Sequence, residues 1–419
     1  MAGGRGTRGQ WALAALALAG RAALAGWPRA AELAGGRVEV ATPASGLRGA
    51  LEGLQMAEWG LSPYASPACH TPPLLLALFA PLRKRSALAL RLPGIAADAV
   101  AAAAVYGTAR HTEHADRAGA AAAWYLWSPG AVLVCVAGSL APFENCAVFL
   151  AVYGAASRRV ALSAFSLAAA AYVGMHPALL APPLVLTYVR ASGRRGGAAF
   201  AAGAAYLALA ALWGGALLLA STRVVQGLPG GEGASARDSL RHWVHGTYGS
   251  LLAVQDLTPN LGVFWYFFAE VLTGFRPFFL RLFHLHAGAL LVPLGIVLHD
   301  QPLFFLYCQM IVNSLMKPYP SVGDAVPFLT LMPLLDQLRG VPLPRAYVAL
   351  SVFVYAYCLA PVFWHLWINS GVANANFYYA ITICHSAAHV LVLTASINAA
   401  RRWGLARRSA AGATKAKEE

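Results

Sequence analysis

The sequence predicts an all-α polytopic membrane protein, and three observations carry that prediction. Hydrophobic residues make up 58% of the 419-residue chain and charged residues only 11%, more apolar surface than a soluble fold can hide. Apolar runs such as 198–220 and 343–368 are too long for the short alternating strands of a barrel, so helices must satisfy the backbone in lipid. The basic residues sit between or beside these runs. A net charge of +14 would suggest nucleic acid in a soluble chain; here it follows membrane topology, and no nucleic-acid partner is expected. The six cysteines are scattered without a CxxC pair, so neither a disulfide framework nor a zinc site is indicated.

Residues 1–10 carry Arg5 and Arg8, and 11–26 are apolar. A cleaved signal peptide is one reading. A retained first helix is favoured, because Arg21 within the run suits a protein interior better than a signal peptide's core. Residues 28–85 read as a lumenal loop. In it, 46–59 places Leu47, Leu51, Leu54 and Ala57 at helical spacing, predicting an amphipathic helix lying on the membrane. Residues 74–82 are too short to span. That leaves Arg83-Lys84-Arg85 on the loop's side, against the positive-inside rule, with no account from sequence.

Spans near 86–109, 118–137, 143–157, 160–175, 177–190 and 198–220 follow. Every second connection is basic (Arg110…Arg117, Arg158-Arg159, Arg190…Arg195) and therefore cytosolic. Residues 221–277 read as lumenal: a Gly-rich loop, then DLTPNLGVFWYFFAE at 256–270. Its apolar run, 261–269, has nine residues, against about 20 needed to cross a bilayer. An aromatic cluster with a polar head suits the interface, so this is read as a re-entrant helix. Spans near 278–298, 302–316, 321–338, 343–368 and 376–400 complete the set, and the basic tail 401–419 is cytosolic. Cytosolic termini require an even count. Treating 256–273 as re-entrant gives about twelve; counting it as a span makes the number odd. Residues 1–419 thus read as one polytopic domain without internal repeats.

Four polar clusters share the lumenal side in this scheme: 62–73, 256–260, 317–324 and 369–376. Lys317 and Asp324 flank two prolines and a glycine. Either they form a local ion pair, or Lys317 meets a phosphate. Asp98 is expected to hydrogen-bond a neighbouring helix. Asn369, Asn374 and Asn376 offer amides suited to a glycan or phosphate; a solvated loop is the alternative. His385 and His389 stand at i,i+4, but two imidazoles make an incomplete metal site, so core histidines are expected and no metal. No HExxH, P-loop, GxSxG or Cys/His nucleophile arrangement occurs, so neither catalytic residues nor a cofactor are assigned. Enzymes that transfer lipid-linked sugars generally carry an acid in the first lumenal loop. Here no aspartate precedes Asp98, and the loop offers only Glu32, Glu39, Glu52 and Glu58.

DLTPNLGVFWYFFAE, KPYPSVGD (317–324) and PVFWHLWINSGVANANFYYAIT (361–382) resemble signature stretches of the phosphatidylinositol-glycan class U (PIG-U) family, membrane subunits of the glycosylphosphatidylinositol (GPI) transamidase. The series from Arg21 to Pro72 agrees. The resemblance covers most of the chain, densely after residue 256; the Ala/Gly-rich middle, including 230–236, departs from it. It implies a multi-pass endoplasmic reticulum protein in complex with the protease subunit PIG-K, PIG-T, PIG-S and the GPI attachment protein. It also implies a non-catalytic subunit that helps bind and present the GPI lipid. The Ser62-Pro63-Tyr64…Thr71-Pro72 segment is similar to GPI mannosyltransferases as well, which implies a GT-C-like scaffold. An active mannosyltransferase with a dolichol-linked donor is the alternative, and a transporter a distant third. On this resemblance, Asp256, Asn260, Lys317, Tyr319, Asp324, Asn369, Asn374 and Asn376 are expected at the lipid headgroup. Phe264, Trp265, Phe267 and Phe268 are expected along the acyl-chain path.

Overall fold

The structure, a computed structural model, describes residues 3–229, 233 and 235–418, and only the backbone of 3–8 and 406–418. Much of the expected divergent stretch 230–236 lies outside the described residues, as do the side chains of Arg5, Arg8 and most of the tail. Among the described residues there is no strand. The helices run α1 (Gly3–Gly26), α2 (Pro28–Gly35), α3 (Leu47–Glu58), α4 (Pro73–Phe79), α5 (Ala87–Arg110), α6 (Ala118–Trp127) and α7 (Pro129–Ala137). Then come α8 (Ala141–Ala156), α9 (Val160–Gly174), α10 (Ala181–Ser192), α11 (Gly196–Gly227), α12 (Ala236–Val244) and α13 (Ser250–Ala253). The last six are α14 (Phe264–Glu270), α15 (Arg276–Leu298), α16 (Pro302–Met316), α17 (Val326–Leu331), α18 (Leu343–Trp364) and α19 (Ala375–Glu418).

Among the described residues, five helices are long and apolar enough to cross a membrane: α5, α11, α15, α18 and the first part of α19. A sixth arises if α6 and α7, bent by 47° at their junction, count as one span. The bend has a local cause: Pro129 opens α7 and has no N–H to continue α6. The expected span at 321–338 is broken into short turns, with Pro327 and Pro333 each opening a new one. The expected spans at 143–157, 160–175 and 177–190 are α8, α9 and α10, of 16, 15 and 12 residues. Small residues let α8 and α9 touch closely. A Cβ on Gly154 would lie 2.6 Å from the Ser163 nitrogen, and Ser163 Oγ donates to Ala151 O at 2.7 Å.

A buried charge pair locks the first helix into this bundle. Arg21 and Asp98 are each 1% exposed. Arg21 Nε donates to Asp98 Oδ2 at 2.9 Å, and Tyr125 OH donates to Asp98 Oδ1 at 2.6 Å. α1, α5 and α6 are thereby joined, as expected of an arginine facing protein and an aspartate bonded to a neighbouring helix.

Two loop expectations change. α3 forms where its spacing predicts, but its apolar face does not lie on the membrane. Leu47, Ala50 and Leu54 pack into the chain itself, in a cluster with Tyr64, Cys69, Leu76 and Phe79. The approach is close enough that a Cβ on Gly53 would fall 2.3 Å from Cys69 Sγ. The Arg83-Lys84-Arg85 run also gains an account. Arg83 and Lys84 both pair with Glu58 at the end of α3, and Arg83 donates to Gln55 Oε1 at 2.6 Å. These contacts bind the run to the loop that precedes it.

The basic connections gather at one end. Arg117 donates to Pro333 O (2.9 Å) and Asp336 Oδ1 (3.2 Å), Arg190 to Asp300 O (2.5 Å), and Arg402 to Gly340 O (2.9 Å). Residues 37–46, 256–263 and 317–324 meet at the other end.

Removing one member of a buried charge pair leaves the other unpaired, typically at a cost of about 3–5 kcal/mol. Asp98→Ala should therefore sharply lower the temperature at which the detergent-solubilised chain loses its monodisperse elution peak. Arg21→Met with Asp98→Leu should recover most of that loss.

Candidate functional site

The segment from Asp256 to Val263 is irregular, and its own side chains build its turns. Asp256 Oδ1 accepts from the Thr258 N–H at 2.7 Å. Asn260 Oδ1 accepts from the Gly262 N–H at 2.8 Å, while Asn260 Nδ2 donates to Thr258 O at 3.0 Å. Only glycine fits at 262, since a Cβ there would lie 2.6 Å from Pro320 Cδ. Distant elements take up three further carbonyls. Tyr319 OH donates to Asp256 O (2.8 Å) and Thr382 Oγ1 to Asn260 O (3.0 Å), and His385 Nδ1 sits 3.1 Å from Leu261 O. Arg276 donates to Phe268 O (3.0 Å), Val254 O (2.7 Å) and Ala253 O (3.3 Å). Its guanidinium also lies 5.3 Å from the Phe268 ring centroid.

These bonds position α14, seven residues long and too short to cross a bilayer. Phe264, Trp265 and Phe268 are buried and Phe267 half-buried. Phe283 meets Phe264, Phe267 and Phe268 with ring centroids at 5.0, 4.8 and 5.4 Å. Trp265 packs among Trp367, Tyr378 and Tyr379. Aromatic pairs of this kind add about 0.5–1.5 kcal/mol each beyond their area. Rings expected to line an acyl-chain path thus mostly meet other rings. The half-buried rim is Tyr266, stacked on Tyr379 at 4.1 Å, together with Phe267.

Beside this segment lies a charge cluster. Lys317 Nζ contacts both Glu144 oxygens at 3.1 Å and Asp324 Oδ1 at 2.7 Å. Asp324 Oδ2 also caps the turn at Ser321, accepting from its N–H (2.7 Å) and hydroxyl (3.0 Å). The expected Lys317–Asp324 pair is therefore present, and Lys317 is shared with a second carboxylate. Burial alone would lower the Lys317 pKa, but Asp324 and Glu144 outweigh it and hold the ammonium charged, well above its ordinary value. His176, on the same cavity of about 40 Å³ as Glu144, Lys317 and Asp324, is pushed down to about 4 by burial and the Lys317 charge, so it is neutral at physiological pH. Glu144 was missed from sequence. It lies 173 positions from its partner; its one signal is its place in a polar connection. Gly174 makes room for it: a Cβ there would lie 2.1 Å from Glu144 Oε2.

The asparagines form a separate, outward-facing group. Asn369, Asn374 and Asn376 are exposed. Asn369 Nδ2 sits 3.1 Å from His365 Nδ1, and Asn374 Oδ1 accepts from the Asn376 N–H at 3.0 Å. Asn376 Oδ1 accepts from Tyr266 OH, which ties the group to α14. By contrast, Asn260 is 0% exposed and Tyr319 5%. Asn260 holds the backbone and has no exposed surface, while Tyr319 holds the backbone and borders the cavity beside Lys317.

The glutamates of the first loop are mostly engaged. Glu39 Oε1 accepts from Tyr378 OH at 2.9 Å, and its backbone O accepts from the Val322 N–H at 2.8 Å. Burial raises its carboxyl above the usual range, against the opposing Tyr378 bond. Glu52 accepts from Ser66, Glu58 pairs with Arg83 and Lys84, and Glu32 is exposed on α2. His385 and His389 are buried core residues, His389 Nε2 lying 2.9 Å from Ser314 Oγ.

Lys317→Ala would leave two carboxylates facing each other, at a cost of about 3 kcal/mol. Thermal unfolding should register that loss. The triple change Lys317→Met, Glu144→Gln, Asp324→Asn should be markedly more stable than Lys317→Ala alone.

Comparison with known proteins bears on the whole chain. The family described as GPI transamidase subunit PIG-U matches residues 15–385. The GPI-anchor transamidase component PIGU of Cricetulus griseus is 30% identical over 393 residues, with 87% of each chain covered. Its Homo sapiens namesake is 29% identical over 393 residues at the same coverage. The GPI transamidase component GAB1 of Saccharomyces cerevisiae is 30% identical over 361 residues, covering 85% of each.

Proposed function

The chain belongs to the PIG-U family of GPI transamidase subunits, and from that premise we propose that it is a non-catalytic, multi-pass subunit of this complex in the endoplasmic reticulum membrane. Its task is to help bind and present the GPI lipid. The observation that carries this reading is the outward asparagine group joined to an aromatic rim at one end of the bundle. A GPI lipid is split in the same way: acyl chains need an apolar wall, and sugar hydroxyls and phosphates need donors and acceptors. Asn369, Asn374 and Asn376 have free amide surface for the headgroup, while Tyr266, Phe267 and Tyr379 border the apolar side. Asp256, Asn260, Tyr319, Lys317 and Asp324 act beneath them as the platform. A phosphate reaching Lys317 would have to compete with two carboxylates already in contact with it.

In this reading the asparagine end is lumenal and the basic end cytosolic, in keeping with the gathering of Arg117, Arg190 and Arg402 at one pole. α1, the short helices α8, α9, α10 and α16, and the broken segment 321–338 then act as spans supported by neighbours; with the five long helices and the α6–α7 pair they bring the total to about twelve on a GT-C-like scaffold. The partners are the protease subunit PIG-K, PIG-T, PIG-S and the GPI attachment protein. The mannosyltransferase alternative needs an available acid in the first loop; Glu39, Glu52 and Glu58 already have protein partners, which leaves it Glu32, exposed on α2.

Changing Asn374 and Asn376 together to alanine should leave the complex assembled. Co-purifying GPI should fall about ten-fold, as loss of one or two hydrogen bonds implies. Undiminished lipid in an intact complex would refute the headgroup assignment. For topology, a glycosylation-acceptor tag at residue 233 should be modified and one beside Arg195 should not; the reverse pattern would invert the scheme.

A further inference from the structure

The Glu144–Lys317–Asp324 cluster borders two small polar chambers. The outer one, about 40 Å³, lies at the asparagine end beside Thr42, Ser45 and Tyr319. The inner one, about 30 Å³, lies between α8, α16 and the turn at His176. Glu144, His176, Lys317 and Asp324 line both. The inner chamber runs from Lys317 to Met310, about 10 Å along α16.

Three groups on the inner chamber have hydrogen-bonding capacity that the protein does not use. Asn145 is 4% exposed, and its Nδ2 has no partner among the described residues. A buried amide left in that state is costly. Glu144 receives hydrogen bonds from one group among the described residues, Lys317 Nζ, at 3.1 Å to each oxygen, whereas a carboxylate offers about four lone-pair sites. Lys317 has no more to give, because these two contacts and the one to Asp324 occupy its N–H bonds. His176 Nδ1 lies 3.1 Å from Gly174 O. The ring proton therefore sits on Nδ1, and Nε2 is left as an acceptor.

The unmet set is one donor and two acceptors. A water molecule satisfies it, accepting from Asn145 Nδ2 and donating to Glu144 and His176 Nε2, and about three bonds are typical of a buried water. A cation would meet the Asn145 N–H and the Lys317 charge. An anion would meet two carboxylates. The size agrees, since a water needs about 10–15 Å³ of such volume and the chamber holds about two. Val148, Leu180 and Met310 form the apolar remainder of the wall and offer no competing partner.

We propose that the inner chamber is a water-binding site: Asn145, Glu144 and His176 hold one ordered water, and a second joins it to the outer chamber. Solvent from the asparagine end thereby enters the bundle by about 10 Å. The water supplies donors to the carboxylate that Lys317 cannot fully serve, so two carboxylates persist beside one ammonium without a second cation. The site stands independently of the subunit reading above.

Radiolytic hydroxyl-radical labelling of the full chain in detergent, read by mass spectrometry, tests this, because radicals formed from a bound water oxidise the side chain beside it. Met310 is 4% exposed and borders the chamber; Met56, half-buried on α3, is the reference. Met310 should be oxidised at a rate comparable to Met56 despite its burial. Asn145→Leu should lower Met310 oxidation about five-fold with Met56 unchanged, and Asn145→Ser, which keeps a hydroxyl and room for water, should retain most of it. Asn145→Leu should also melt at a lower temperature, because the water loses its anchor. A dry chamber requires the opposite, since the change would remove an unsatisfied amide. Unlabelled Met310 in the unaltered chain would overturn the proposal, as would undiminished labelling or a higher melting temperature in Asn145→Leu. Should that variant not fold, the ratio of Met310 to Met56 oxidation in the unaltered chain decides alone. A melting temperature raised by sodium but not by choline at equal ionic strength, and insensitive to sodium in Glu144→Gln, would assign the chamber to a cation and refute the water site.

Discussion

An irregular backbone can sit at the edge of a bilayer only if every amide and carbonyl finds a partner other than lipid. The stretch from Asp256 to Val263 goes far toward that condition by drawing on the second half of the chain. Tyr319, Thr382 and His385 come from two separate segments and reach the carbonyls of Asp256, Asn260 and Leu261, while Arg276, from a third, takes the flanking carbonyls of Val254 and Phe268. The aromatic helix α14 follows directly from this scaffold of bonds, so its placement requires α15, α19 and the 317–324 turn to be in register. The polar and aromatic surfaces at this end of the bundle stand in fixed relation because one loop demands it.

The two charged clusters obey different rules. Arg21 and Asp98 are enclosed, one charge against one charge, with Tyr125 taking the second carboxylate oxygen. Close pairing is what permits charge at that depth; Arg21 Nη1 also donates to Ala17 O, and Nη2 alone is left without a hydrogen-bond partner among the described residues. The Glu144–Lys317–Asp324 cluster has two carboxylates for one ammonium, and its side chains retain 12–18% exposure. The excess negative charge is tolerable there because solvent remains near.

Much of the fold was legible because apolar runs and basic punctuation report span positions directly. α5, α11, α15 and α18 lie where the runs predict them, and the nine-residue limit at 261–269 excluded a crossing helix. Periodicity could not say what covers an apolar face. α3 shows the right repeat, but protein rather than lipid meets Leu47 and Leu54. Nor could it supply partners distant in sequence: Glu144 for Lys317, Glu58 for Arg83, Tyr378 for Glu39. Within the candidate site, residue type identified polar groups at one end but not their direction. The same amide chemistry builds a sealed turn at Asn260 and an open surface at Asn374. The difference arises from Gly262, Pro320 and Thr382, which close over one and not the other.

α19 runs unbroken from Ala375 to Glu418. Its 44 residues make a rod about 66 Å long, roughly twice the hydrocarbon thickness of a bilayer. Its points of attachment to the aromatic segment, Thr382 and His385, lie close to the asparagine end. Such a rod is a lever with unequal arms. A tilt of about 5° about His385 would swing the basic end by about 4 Å and the asparagine end by only about 1 Å. Forces acting on the tail would therefore reach the opposite end reduced in amplitude, and the asparagine surface would stay nearly still while the far end moves.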